Sequence, residues 1–466
     1  MNRFKKSIFG FVLAMTIFGT SVSYAEPLST KIDEKLLTAE EEFNDDIIEA
    51  GRYLVDVLAL IKTHYLKDVD VDDLVKGAIS GMADQLDEYS EFLTDEDFKL
   101  LAQSINYEIE GIGIQYYENT NNGYLQIQNV FKDSPAEKGG ILPEDILISV
   151  NGIDVKNKAA ADVSAIIKEK KGQDIDIKVK RGTSEKTLKV NVGTFNIPTV
   201  QVSKISNLKT GIDKTKADKV RYVKISSFGD STGKEFKEIT KELVNEKVEN
   251  IILDFRFNGG GSTDAAYQIC ETLVKEGAFL NIKTKGGNYT VNSEDNNVPF
   301  KNIIVLVNEE TASSSELVAA VLKDNGATVV GTKTFGKGIT QAVIELKEIG
   351  MLKMTTEEFF PMSGRKINGV GIVPDVEVKQ ISTIKSDSLD FSKDVETSLK
   401  ALGYDISTNE KKASVLKEIQ KEYNISQTGE IDFSTISAIN SEIVNYNYSN
   451  DNVLEKAINI MLDKLK

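Results

Sequence analysis

The 466-residue sequence has one histidine, one cysteine and no tryptophan. With Cys270 alone, neither an internal disulfide nor a cysteine-based metal site can form. With His64 as the single histidine and no acidic–histidine cluster, a metal-dependent hydrolase is disfavoured. A Ser-His-Asp triad would have to use His64, which falls in an apparent amphipathic helix far upstream of any candidate nucleophile, so a structural histidine is the simpler reading. Basic residues are outnumbered 56 to 72, giving a formal charge of −16, and nucleic acid is a poor partner for such a surface. Beyond the first 25 residues no stretch is long and apolar enough to span a bilayer.

The first 25 residues read as an export signal. Arg3, Lys5 and Lys6 precede an apolar run over residues 8–19, and Ser23-Tyr24-Ala25 forms a small-x-small cleavage site. Cleavage would remove three positive charges and bring the chain near −19; an uncleaved signal would serve as a membrane anchor. The whole sequence is 40% apolar and 27% charged, the balance of a folded protein of several domains.

The most informative stretch is residues 311–341, TASSSELVAAVLKDNGATVVGTKTFGKGITQ. Ser313, Ser314 and Ser315 precede the helically spaced Leu317, Val318, Val321 and Leu322, which marks a helix start. Backbone N–H groups at such a start suit an oxyanion. Lys337 lies between Gly336 and Gly338, close to Phe335 in sequence, and a lysine shielded by such neighbours could lose its proton and serve as a base. The plainer reading is a capped helix and a surface lysine. Upstream, Asn250-Ile-Ile-Leu-Asp-Phe-Arg256 predicts a buried strand that runs into Asn258-Gly-Gly-Gly261 and then a helix near Thr263. No Gly-Lys-Ser/Thr follows, so a phosphate loop is a poor match.

These motifs resemble the signature of the carboxy-terminal processing (tail-specific) proteases. That resemblance implies a serine–lysine dyad with Ser313 as nucleophile, Lys337 as base and Gln341 supporting the lysine. It assigns the oxyanion to Gly260 or Gly261 together with the Ser314 amide, so the Ser314 side chain is expected to be dispensable. Glu316 and Arg256 are expected to shape the site. Two departures stand out: Ser314 replaces the usual alanine, and the serine-to-lysine interval is one residue short. Residues 105–195 resemble a PDZ domain, through Ser134-Pro-Ala-Glu-Lys-Gly-Gly-Ile141 and Asp145-Ile-Leu-Ile-Ser-Val-Asn-Gly152. Gly111, Ile112, Gly113 and Ile114 would be its carboxylate-binding loop, and a helix over 160–170 the facing wall of its groove. Glu144 stands where a glycine is expected.

The expected architecture is multidomain α/β: a signal peptide (1–25), a helical N-terminal segment (26–104), a PDZ domain (105–195), a mixed-sheet serine–lysine protease core (196–380) and a helical C-terminal region (381–466). The C-terminal region also resembles a small peptidoglycan-binding repeat; a packing or dimer-forming tail is the alternative. The resemblance implies an exported, homodimeric endopeptidase that recognises the C-terminal end of protein substrates and uses no metal or organic cofactor. A catalytically silent PDZ adaptor and a wall-associated binding protein are the competing classes.

Overall fold

The computed structural model describes residues 45–119, 123–205, 219–294, 298–384, 390–423 and 425–465. The expected export segment lies outside the described residues.

Asn250–Asp254 is buried at every position, the pattern of a strand covered on both faces. It is third in a six-stranded sheet ordered Val200–Lys204, Val220–Ile225, Asn250–Asp254, Asn302–Val307, Thr328–Gly331 and Val376–Glu377. The first pair is antiparallel and the others parallel, so the sheet is mixed, as the sequence predicts. Strand alternation sorts its side chains. Ile251, Leu253, Val305 and Val307 share a core with Phe236, Ile269, Leu317 and Val321, from the helices Thr232–Asn245, Thr263–Leu273 and Ser314–Asp324. Ile252, Ile304 and Leu306 pack instead with Val453, Ala457 and Ile458.

Those last three residues belong to the helix Asn452–Lys464, so this helix is a layer over the six-stranded sheet. Arg256 pins it. The guanidinium donates to both carboxylate oxygens of Asp451, at 2.7 and 2.8 Å, and to Asp254 at 2.6 Å. The helices Phe391–Ala401, Asn409–Glu422 and Phe433–Ser449 form a separate cluster around Leu399, Leu416, Ile419 and Ile439.

The N-terminal segment is less uniformly helical than its sequence suggests. Between the helices Val71–Ala83 and Asp95–Ile105 lies the strand Glu91–Leu93. It pairs antiparallel with residues 351–353 and so joins a second, five-stranded sheet with Gly350–Pro361, Gly277–Thr284, Gly287–Ser293 and Ile339–Leu346. Three residues are too few to show a period of two, which is why the strand reads as part of a helical run. In the helix Asp45–His64 the apolar Leu54 and Val57 are exposed, as is His64 at its end.

The PDZ-like region is built on a sheet ordered Ile114–Asn119, Tyr124–Val130, Ile146–Val150, Asp174–Arg181 and Ser184–Asn191. The short strands Glu108–Gly111 and Gly193–Asn196 pair where the chain enters and leaves it. Its core gathers Leu125, Ile127, Leu147, Ile175 and Ile177 with Val163 and Ile167 of the helix Ala160–Lys168. Glu144 has φ +71°, a left-handed conformation, which accounts for the glycine expected there.

Candidate active site

The strand Asn302–Val307 delivers the chain to a turn that positions Ser313. Asn308 N donates to Thr311 Oγ1, and that hydroxyl donates to Phe255 O at 2.9 Å. Ala312 N donates to Asn258 O at 3.1 Å, bringing the turn against the glycine stretch. Ser313 is the N-cap of Ser314–Asp324, with φ 57° and ψ −120°. A non-glycine residue held in that region is strained, and such strain concentrates at functional sites. The Ser313 side chain is fully buried and its hydroxyl has no hydrogen-bond partner.

The neighbouring serines join the helix Ser314–Asp324 to the glycine turn. Ser314 Oγ donates to Gly261 O at 2.8 Å and Ser315 Oγ to Asn258 O at 2.9 Å. The Ser314 side chain therefore makes a buried bond in addition to presenting its amide. A Cβ on Gly261 would lie 2.2 Å from Phe228 O, so no side chain fits there. The assignment of Gly260 also needs correction: its N–H donates to Asn258 Oδ1 at 2.9 Å and is already engaged. Gly261 and Ser314 are the remaining pair.

Glu316 brings serine and lysine together. It is fully buried and accepts from Ser313 N at 3.0 Å, Gly336 N at 2.7 Å and Lys337 N at 2.7 Å, with the Thr334 hydroxyl as a further donor. One carboxylate thus fixes the backbone at both candidate residues. Burial raises its pKa above the ordinary value, against the lowering effect of the Thr334 hydroxyl and the three amides. The glycines of the lysine loop are required by packing, since a Cβ on Gly338 would meet Asn368 N at 2.4 Å.

Lys337 is 1% exposed. Burial, and then the like charge of Lys353, depress its ammonium pKa to about 7, while Asp87 and Glu316 act in the opposite direction. At that value an appreciable fraction of the amine is neutral near pH 7, as a general base requires. Phe335 is 40% exposed; the ring over the lysine belongs to Tyr89, whose centroid is 4.8 Å from Nζ. Tyr89 carries no local signal of this role, although the loss of helical spacing after Ala83 marks a break there. Gln341 is buried, donates from Nε2 to Thr355 Oγ1 at 3.1 Å and leaves Oε1 without a partner. Its carboxamide oxygen therefore takes no hydrogen bond from Lys337.

In the PDZ-like region Gly111 and Gly113 have φ +152° and +83°. A Cβ on Gly113 would lie 2.3 Å from Ser134 Cβ. Ile114–Asn119 is an edge strand of its sheet, which leaves an edge for an added peptide strand. Tyr116 of this strand hydrogen-bonds Ser164 at 2.6 Å and Ala160 O at 3.0 Å, linking the strand to the helix Ala160–Lys168.

Comparison with known proteins agrees with this anatomy. Residues 219–378 match the profile of Peptidase family S41, residues 111–192 that of the PDZ domain, and residues 13–97 that of the activating protease CtpB N-terminal domain. A protein of Staphylococcus aureus (strain COL) described as a "Probable CtpA-like serine protease" is 32% identical over 432 residues, which cover 87% of this chain and 84% of the relative. Its namesake in Staphylococcus haemolyticus is 29% identical over 422 residues, covering 86% and 82%. Among solved structures, a photosystem II D1 C-terminal processing protease aligns with TM-score 0.41 and 24% identity, over 70% of this chain and 92% of that one.

Proposed function

The chain belongs to peptidase family S41, with the CtpA-like serine proteases, and on that basis we propose that it cleaves protein chains through a Ser313–Lys337 dyad. The observation that carries the proposal is the single Glu316 carboxylate that accepts from both the Ser313 and Lys337 amides in a buried site. Ser313 Oγ attacks the scissile carbonyl carbon, and neutral Lys337 Nζ takes the hydroxyl proton. The resulting oxyanion lies between the Gly261 and Ser314 amides. Collapse of this intermediate breaks the C–N bond, and the lysine ammonium returns its proton to the leaving amine. Water then hydrolyses the acyl-serine, with Lys337 again acting as base. The Ser313 hydroxyl is buried and makes no hydrogen bond; the proposed serine–lysine contact forms when substrate binds. Gln341, on the strand Ile339–Leu346, is bonded through Nε2 to Thr355 and makes no hydrogen bond to the lysine.

The PDZ domain captures the substrate's C-terminal carboxylate at Gly111, Ile112, Gly113 and Ile114, and cleavage falls upstream of it. The basic and apolar start of the sequence supports export, with action outside the cytoplasm. Among the described residues no helix is long and apolar enough to cross a membrane. The exposed apolar residues of Asp45–His64 support self-association. Peptidoglycan binding would fall to the helices between Phe391 and Ser449, which have a hydrophobic cluster of their own.

Purified protein incubated with unfolded casein tests the proposal. Wild type degrades casein, while Ser313→Ala and Lys337→Ala do not. Degradation by either variant at the wild-type rate would refute the dyad.

A further inference from the structure

The aromatic ring over Lys337 comes from a turn outside the S41-matched region. After Val71–Ala83 the chain folds round the Asp87 carboxylate, which accepts from Tyr89 N at 3.0 Å and Ser90 Oγ at 2.9 Å. Ser90 Oγ in turn accepts from Thr355 N at 3.1 Å, and Thr355 Oγ1 accepts from Gln341 Nε2 at 3.1 Å. On the far side of Tyr89, Glu91 pairs across the sheet with Lys353, and their side chains form an ion pair. The turn is thus fastened through Ser90 and Glu91, immediately after Tyr89, to the strand Gly350–Pro361, which is paired with the strand carrying Gln341. Four hydrogen bonds, one ion pair and a strand pair hold one half-buried ring against one amine.

We propose that Tyr89 is a positioning residue for the catalytic base: the face of its ring holds the Lys337 amine and keeps water from it. The proposal rests on Lys337 being the base. An aromatic face attracts an ammonium more weakly than a carboxylate does, and its apolar body displaces water. It can therefore guide the lysine chain without fixing the proton on it. The charged groups acting on Lys337 come from three elements: Asp87 on the same turn as Tyr89, Lys353 on Gly350–Pro361, and Glu316 on the nucleophile helix. Burial, then Glu88, push the Tyr89 phenol up to about 12, so the ring stays neutral where the lysine titrates. The N-terminal segment then completes the active site in addition to leading into the PDZ domain.

The test is the pH dependence of kcat/KM for a peptide substrate between about pH 6 and pH 10, for wild type, Tyr89→Phe, Tyr89→Ala, Tyr89→Leu and Lys337→Arg. Phenylalanine keeps the ring, so activity within about threefold of wild type and an unmoved acid limb are expected. Alanine admits water, which favours the ammonium, so the limb should move up by about one pH unit, with roughly a fivefold loss at pH 7 that approaches tenfold at lower pH and narrows at high pH. Leucine keeps apolar cover without the ring face. If the alanine variant does not fold, a limb displaced in the leucine variant supports the proposal. A uniform loss at every pH, or no loss, with the acid limb where wild type has it in both variants would overturn it. Failure of the dyad itself reads differently: Lys337→Arg would then turn over like wild type, whatever the Tyr89 variants do.

Discussion

A buried base should cost the fold stability, and Lys337→Met measures how much. The lysine amine titrates near 7 in the folded protein, against an ordinary 10.5. Each unit of difference corresponds to about 1.4 kcal/mol, so burying this side chain costs roughly 3–5 kcal/mol below pH 7. The unfolded chain keeps the proton up to about 10.5 and the folded chain releases it near 7. Between those values the unfolded state binds more protons, so wild-type stability rises with pH. The deficit is complete below pH 7 and disappears as the pH approaches 10.5. Methionine has similar length and no charge, and its thioether adapts to irregular apolar space. Urea unfolding at about pH 6, 7.5 and 9 should find the variant inactive yet more stable than wild type, by a margin that narrows as pH rises. A variant less stable than wild type at all three pH values would mean that the surrounding groups fully compensate the ammonium, and the pKa argument for the base would fall.

Four further outcomes follow from the same contacts. Ser313→Ala should lose at least about 10³-fold in kcat, the scale expected when a nucleophile acting within a unit is removed; Ser314→Ala and Ser315→Ala each delete one buried hydrogen bond, so about 1 kcal/mol of stability and less than about tenfold in rate are expected, checked by peptide cleavage and urea melts. Glu316→Ala strands three buried amides and should cost about 3 kcal/mol or more together with all activity, read by the same two assays. Amidating the C-terminus of a peptide substrate should weaken its cleavage mainly through KM, and equal kinetics for acid and amide would remove the PDZ loop from substrate capture. Glu144→Gly relieves a left-handed backbone at the loss of one bond to Gln126, so the melting midpoint should hold or rise, within about 1 kcal/mol of wild type.

The parts of the site that could be read from sequence are those coded by neighbouring residues. The helix after Ser313, the glycine turn ending at Gly261 and the loop around Lys337 each announce themselves through spacing, capping chemistry or glycine. Glu316 was legible as a first-turn acid, but its reach to Gly336 and Lys337 depends on how two loops close over it. Tyr89 was hidden for a stronger reason. Its role depends on a three-residue strand pairing with residues 351–353, and nothing local to residues 84–93 specifies that partner. The bonds of the Ser314 and Ser315 hydroxyls to Gly261 O and Asn258 O were not legible, because a serine at a helix start already has a local explanation as a cap. In the same way Asn452–Lys464 has a visible apolar stripe, while the sheet face it covers is assembled from five distant strands.

The most direct test of the central claim is to locate the acylated serine and ask what activates it. Wild type, Ser314→Ala and Lys337→Arg would be treated with a fluorophosphonate at about pH 8, and the adduct mapped by peptide mass spectrometry with its rate of formation. Arginine keeps the positive charge but does not lose its proton in this range. The account predicts a single adduct on Ser313, formed at similar rates in wild type and Ser314→Ala and at least about 10²-fold more slowly in Lys337→Arg. An adduct on Ser315, or equal rates with arginine at position 337, would contradict it.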